Sequence, residues 1–138
     1  MKLITFTRMG KVHFGVVQDD GIIDLTGRVD KNVNSIKDLL NLDLIENVKE
    51  FIANKRPEIS IAEITHLPVI PDPEKIFCIG LNYQEHKKET GRPDVDNPTI
   101  FTRFADSQVA HLQPMIKPDN SDRFDYEAEM AIIIGKGG

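Results

Sequence analysis

Asp125-Tyr126-Glu127-Ala128-Glu129-Met130-Ala131-Ile132-Ile133-Ile134-Gly135 sets two alternating carboxylates against an unbroken apolar run. The pattern predicts a strand over Tyr126 to Ile134. Side chains two apart on a strand share a face, so Glu127 and Glu129 project together. Carboxylates that close repel unless a cation lies between them. The run Ala131 to Ile134 is typical of a strand covered on both faces, which directs the glutamates toward a pocket. The competing reading is the outer face of an edge strand, where alternating charges are common. In a pocket, clustered carboxylates favour a hard cation, because oxygen ligands select Mg2+, Mn2+ or Ca2+ over zinc. Asp125 lies at the strand mouth on the same face. Two carboxylates leave an octahedral site incomplete, to be filled by a further carboxylate, waters or substrate oxygens.

Upstream, the first third of the chain reads as short strands: Leu3 to Thr7, Val12 to Val17 and Ile22 to Leu25, with turns at Gly10-Lys11 and Asp19-Asp20-Gly21. Three such strands predict a small antiparallel sheet or barrel. Asn34-Ser35 is suited to cap a helix starting near Ile36. Leu44, Ile45, Val48, Phe51 and Ile52 recur at helical spacing, so the helix is expected to run to about Lys55 and to end before Pro57. Ile59 to Ile64 reads as one more strand. Pro68, Pro71 and Pro73 then fix extended backbone and mark a boundary near residue 70. The expected division is a small domain over 1–70, of short strands plus an amphipathic helix, and a second domain beginning at 71 and running to 138. That second part opens with a strand from Lys75 to Ile79 and a loop at Gly80-Leu81-Asn82-Tyr83. A short helix follows from about Gln84 to Glu89, then a polar loop from Gly91 to Pro98 that borders the site as a lid, and a strand from Thr99 to Phe104. The fold class read from these elements is mainly β (α+β).

Composition narrows the function classes. The chain has 138 residues, 40% hydrophobic and 28% charged, ordinary for a soluble globular protein. Its net charge of −5 favours neither nucleic acid nor an anionic membrane surface. No apolar run approaches the ~20 residues of a transmembrane helix. The start, Met1-Lys2-Leu3-Ile4-Thr5, reads as no secretion signal. The single cysteine, Cys78, excludes an internal disulfide; it reads as a packed core thiol, and a cytoplasmic location is expected. His13 and His66 have no acidic neighbours in sequence and read as packed or partly exposed. His111, in Ala110-His111-Leu112-Gln113-Pro114, is open between a packed and a site-lining position.

His86 and Glu89 are three apart on the expected helix and so share a face. A carboxylate beside an imidazole orients it and raises its basicity, which a general base needs. The plain alternative is a solvated charged helix, since Glu85, Lys87 and Lys88 surround the pair. Gly80, following a strand, permits close backbone approach to a ligand. Arg103 alternates with apolar residues in Ile100-Phe101-Thr102-Arg103-Phe104, as either a pocket-facing anchor for a substrate carboxylate or a surface arginine.

Taken in order, Lys75 to Tyr83, His86 with Glu89, Pro98-Thr99-Ile100-Phe101, and Asp125 to Met130 with Ile133-Ile134-Gly135-Lys136 resemble the fumarylacetoacetate hydrolase family. The resemblance is specific from about Lys75 onward and covers the preceding segment in outline. It implies a small N-terminal domain followed by the start of a distorted β-roll catalytic domain, of which the N-terminal part is expected here. In such a part, the strand ending at Ile134 is expected to lack partners. The resemblance also implies Glu127 and Glu129 as ligands of Mg2+ or Mn2+, with an aspartate beyond Gly138 as the third ligand. His86 and Glu89 are implied as a water-activating dyad, and Arg103 and Tyr83 as substrate-binding. The implied substrate is a small 2-oxo acid of the acylpyruvate or fumarylacetoacetate type, as met in aromatic catabolism, and the full-length member is a homodimer. The implied activity is metal-dependent hydrolysis of a C–C bond: His86 deprotonates a water, the water attacks the distant carbonyl, and the metal stabilises the enolate released. Isomerisation or decarboxylation of 2-oxo or 2-hydroxymuconate-type acids is the alternative on the same residues. A non-catalytic module is the reading from another class. The family has lysine where Arg103 stands; arginine keeps the charge but replaces a point-like ammonium with a planar fork.

Overall fold

A computed structural model describes residues 1–91, 93, 96–124 and 129–135. The chain divides into two compact units, Met1–Ile70 with Val109–Gly138, and Pro71–Gln108.

In the first unit, β1 (Lys2–Arg8), β2 (Lys11–Gln18) and β3 (Gly21–Asp24) form a meander. Met9 and Gly10 both take positive φ, 50° and 76°. This is the turn geometry that matches the twist of a two-residue hairpin. Two further short strands, β4 (Ile59–Ser60) and β5 (Thr65–His66), complete an antiparallel sheet of order β4-β3-β2-β1-β5. Both of its faces are covered. Phe14, Val16, Ile23 and Leu25 pack with Val33, Ile36, Leu39 and Val48 on one side, while Ile4, Phe6, Ile22 and Ile59 pack on the other. That double burial explains why β2 and β3 carry apolar residues at consecutive positions and alternate poorly in sequence. It also explains Gly15. A Cβ there would lie 2.4 Å from the Ile23 carbonyl oxygen and 2.8 Å from Ile22 Cγ2.

The long helix expected from Ile36 to Lys55 is two helices. Ser35 caps α1 (Ile36–Asn41) by accepting from the Asp38 N–H at 3.0 Å. α2 spans Ile45–Ile52. Between them Asp43 is left-handed, with φ of 55°; a short polar side chain tolerates that conformation. The break lets Leu39 and Val48 face the same core. The strand expected over Ile59 to Ile64 is also interrupted. Ser60-Ile61-Ala62-Glu63 is a capping box: Ser60 Oγ accepts from the Ala62 N–H, and the Glu63 carboxylate accepts from the Ser60 N–H. The chain makes one turn of 3-10 helix there instead of continuing extended.

The predicted strand over Tyr126 to Ile134 falls partly outside the described residues, at 126–128. Its described remainder, 129–135, carries no strand ladder, and Met130, Ile132 and Ile134 are exposed. No partner strand lies beside it among the described residues, so its backbone groups have no ladder to enter.

The second unit is built on β6 (Ile76–Gly80) and β7 (Thr99–Arg103), joined through α3 (Gln84–Thr90). The two strands pair antiparallel from Ile76 with Arg103 to Gly80 with Thr99. Phe77, Ile79 and Ile100 share one face of this ribbon and are exposed.

Replacing Gly15 with alanine is expected to cost ~1–3 kcal/mol through the forced approach to the Ile23 backbone. A fall in denaturant midpoint at unchanged slope reads it, and an unchanged midpoint refutes the close packing. A second expectation concerns acid. The Arg8 guanidinium donates to Glu63 Oε2 at 2.7 Å and, with the Ser60 N–H, holds the Glu63 carboxyl below its usual value of 4.5. A lowered folded-state value makes the contribution present above 4.5 and lost as pH falls through the folded value. Melting temperatures of the wild type and Arg8→Met should therefore differ at neutral pH and converge in acid; a constant offset would show that the pair carries no linkage.

Candidate active site

The strand-loop-helix junction of the second unit holds the candidate site. β6 ends at Gly80, and Leu81 turns the chain with φ of 58°. A leucine in the left-handed region is strained, and such strain gathers at functional turns. Tyr83 is extended and precedes α3 as its N-cap residue. Glu85 in the first turn and Lys87 and Lys88 in the last complement the helix dipole, and Gly91 at φ 62° ends the helix.

On α3, His86 Nδ1 lies 3.9 Å from Glu89 Oε2, with side-chain exposures of 41% and 77%. That distance is beyond a hydrogen bond. Lys88 pairs instead with Glu85, at 3.1 Å.

Beside this helix an open cleft of about 300 Å³ is lined by the β6 end, the following loop, Lys87, and residues on both sides of the β7 start. Its polar groups come from Asn82, Lys87, Asp96, Asn97 and Thr99. Of the loop expected as a lid, Pro93, Asp96, Asn97 and Pro98 line the cleft; 92, 94 and 95 lie outside the described residues. A Cβ at Gly80 would meet Thr99 Cγ2 at 3.4 Å, ordinary contact, so crowding does not demand glycine at this position.

The other sequence candidates are distributed as follows. Tyr83 is half-exposed at the mouth of α3. Arg103 is at the opposite end of the ribbon from Gly80 and Thr99. Four residue steps along a strand are ~13 Å. Its guanidinium lies over the Phe101 ring, 5.9 Å from the centroid. Glu129 is exposed, and Glu127 and Asp125 lie outside the described residues. Among the described residues, no three His, Cys, Asp or Glu side chains gather as a metal cage. Cys78 is half-buried in β6.

Pairing across the first unit's sheet supplies what sequence neighbours did not. His13 Nδ1 lies 2.9 Å from Asp24 Oδ2, and its ring stacks on Phe6. His66 meets His111 edge to face, at 4.9 Å between centroids. Lys87, Asn82 and Asn97 were missed as cleft residues. Their available signal was position: Asn82 and Lys87 flank the junction that follows β6.

Residues 75–138 match the family model described as the C-terminal domain of fumarylacetoacetate hydrolase. A mitochondrial oxaloacetate tautomerase of Xenopus laevis is 35% identical over 88% of this chain and 39% of its own length. A mitochondrial oxaloacetate tautomerase of Bos taurus is 29% identical over 100% of this chain and 46% of its own. A fumarylacetoacetate hydrolase domain-containing protein 2 homolog of Dictyostelium discoideum is 34% identical over 99% and 47%. The crystal structure of a protein assigned as HpcE from Mycobacterium smegmatis superposes with a TM-score of 0.54 at 25% identity, covering 75% of this chain and 36% of that one. The matches first define a class, a mainly β protein related to metabolic enzymes. The chain belongs to the fumarylacetoacetate hydrolase family. It spans under half the length of the curated relatives it matches. The cytoplasmic expectation is overturned by these relatives, since the Xenopus and bovine proteins are named as mitochondrial. One thiol excludes an internal disulfide and does not distinguish one reducing compartment from another.

Relief of the left-handed strain at position 81 is testable. Leu81→Gly is expected to be neutral or stabilising by up to ~1 kcal/mol, the strain removed less the entropy of glycine. Leu81→Val, β-branched, should destabilise instead. Equal losses in both variants, read from urea midpoints, would assign Leu81 to packing.

Proposed function

We propose that this chain contributes the proton-transfer residues of a tautomerase acting on a 2-oxo acid of the oxaloacetate type. The supporting observation is the His86–Glu89 pair, carried on the helix that follows the strained junction and borders the cleft. Glu89, 3.9 Å from Nδ1, is the group that would accept from the ring and orient it once the pair closes to hydrogen-bond distance. His86 takes a proton from C3 of the keto acid. The electron pair moves to the C2 oxygen, which is then protonated to the enol; the reverse path returns the proton to C3. Tyr83 and Arg103 are proposed as substrate-binding groups. Glu127 and Glu129 are the residues proposed to hold Mg2+, Mn2+ or Ca2+, whose bound ion supplies Lewis-acid polarisation of the C2 oxygen. Their donor chemistry suits such a hard ion. The assignment rests on the family resemblance, since Glu127 is outside the described residues.

A second reading has an observation of its own. His86 is open to solvent at 41%, so a water has access to the same base. His86 would then activate that water for attack on the distal carbonyl of an acylpyruvate, giving C–C hydrolysis.

Ultraviolet absorbance of the enol form follows tautomerisation by the whole protein directly. His86→Asn is expected to lower kcat/KM by ~10²–10⁴, the usual worth of a general base. Glu89→Gln should give a smaller loss and an altered pH profile, and Glu127→Ala should remove the dependence on added Mg2+. Full activity in His86→Asn would overturn the assignment. Pyruvate release from acetopyruvate, absent with oxaloacetate turnover, would select the hydrolytic reading.

A further inference from the structure

We infer that Lys87 is the specificity-determining residue for the second carboxylate of a dicarboxylic 2-oxo acid, a role that rests on the proposed reading of His86. Every 2-oxo acid shares the same C1–C2 head, so what sets a dicarboxylate apart is the anion beyond C3. Among the described residues, the lining has one cationic residue, Lys87, together with Asn82, Asn97 and Thr99. Asp96 is the one anionic residue among the described residues of the lining. Donors from two amides and an ammonium are the groups a carboxylate takes up.

Among the described residues, position on the helix favours Lys87 over Lys88 and Arg103. It directly follows His86, and one helical step turns ~100° and rises ~1.5 Å. The two side chains therefore diverge, and Lys87 lines the cleft where His86 does not, so the part of a substrate extending past C3 at His86 is the part that would enter the cleft toward Lys87. Lys88 is further round, lies outside the lining, and is paired with Glu85. Arg103 lies four strand steps away along β7, a separation of ~13 Å. Lys87 has a partner within the protein. An ammonium carries three donors, so one partner does not exhaust it.

The test is calorimetric binding to the whole protein in Mg2+ buffer, with two probes: oxaloacetate, which has the second carboxylate, and oxalate, which mimics the head alone. In Lys87→Gln the Kd of oxaloacetate should rise at least tenfold, while that of oxalate stays within twofold. Lys87→Arg should recover most of the loss, and Lys88→Gln, which removes the same charge from the same helix, should change neither Kd. Circular dichroism checks that each variant is folded. An unchanged oxaloacetate Kd in Lys87→Gln, an equal rise for oxalate, or the same effect from Lys88→Gln would overturn the inference. Turnover is read separately. Wild-type protein that binds oxaloacetate through Lys87 without tautomerising it would sink the functional reading and leave this one standing.

Discussion

Five cross-strand pairs, from Ile76 with Arg103 to Gly80 with Thr99, hold β6 against β7 and decide which ends of the two strands meet. Because the pairing is antiparallel, the end of β6 and the start of β7 lie side by side. The junction leading into α3 and the loop returning from it are therefore at one end of the ribbon. The cleft is the space between those two connections. A register slip of one residue would turn every side chain of a strand to the other face and move Thr99 away from Gly80. The helix is thus placed by backbone pairing, while its own sequence decides what it presents.

The two sheets solve the burial problem differently. In the first unit, apolar residues on both faces of β1 to β3 are covered, and the helices contribute Leu39 and Val48 to one side. The β6–β7 ribbon is also apolar on both faces: Phe77, Ile79 and Ile100 on one, Ile76, Cys78 and Phe101 on the other. Yet Phe77 and Ile100 are more than half exposed. Fully burying such a side chain contributes roughly 1.5–3 kcal/mol, and a lone two-stranded ribbon is marginal in water. The exposed face and the exposed apolar residues from Met130 to Ile134 are surfaces whose composition suits cover.

Sequence reading succeeded where the cause of structure is local. The turns at Gly10 and Gly21, the Ser35 cap, the Lys75 to Ile79 strand and the helix after Tyr83 all rest on residues a few positions apart. It failed where two local signals compete. Ser60 to Glu63 carries both strand-like alternation and a capping box, and the box prevailed because its two side chains satisfy backbone donors directly. The helix through Asp43 failed similarly, since hydrophobic spacing continued across a residue that takes the left-handed conformation. Long-range partners were out of reach: nothing near His13 announces Asp24, and nothing near His66 announces His111. Of the candidate site, the His86–Glu89 pairing was legible from an i,i+3 spacing. Lys87 was not, because a lysine among charged helix neighbours reads as solvated until the cleft beside it is known.

The 3.9 Å between His86 and Glu89 bears on how the pair acts. At that separation the carboxylate acts on the ring by charge more than by a directional hydrogen bond, and solvent screens it. Catalytic contacts are often long without substrate and tighten when it binds. Here the movement needed is less than an ångström, and Glu89 is exposed enough to make it by side-chain rotation. Lys87 lines the cleft and His86, the residue before it, does not, so a ligand held in the cleft meets His86 only through the part that extends beyond the lining.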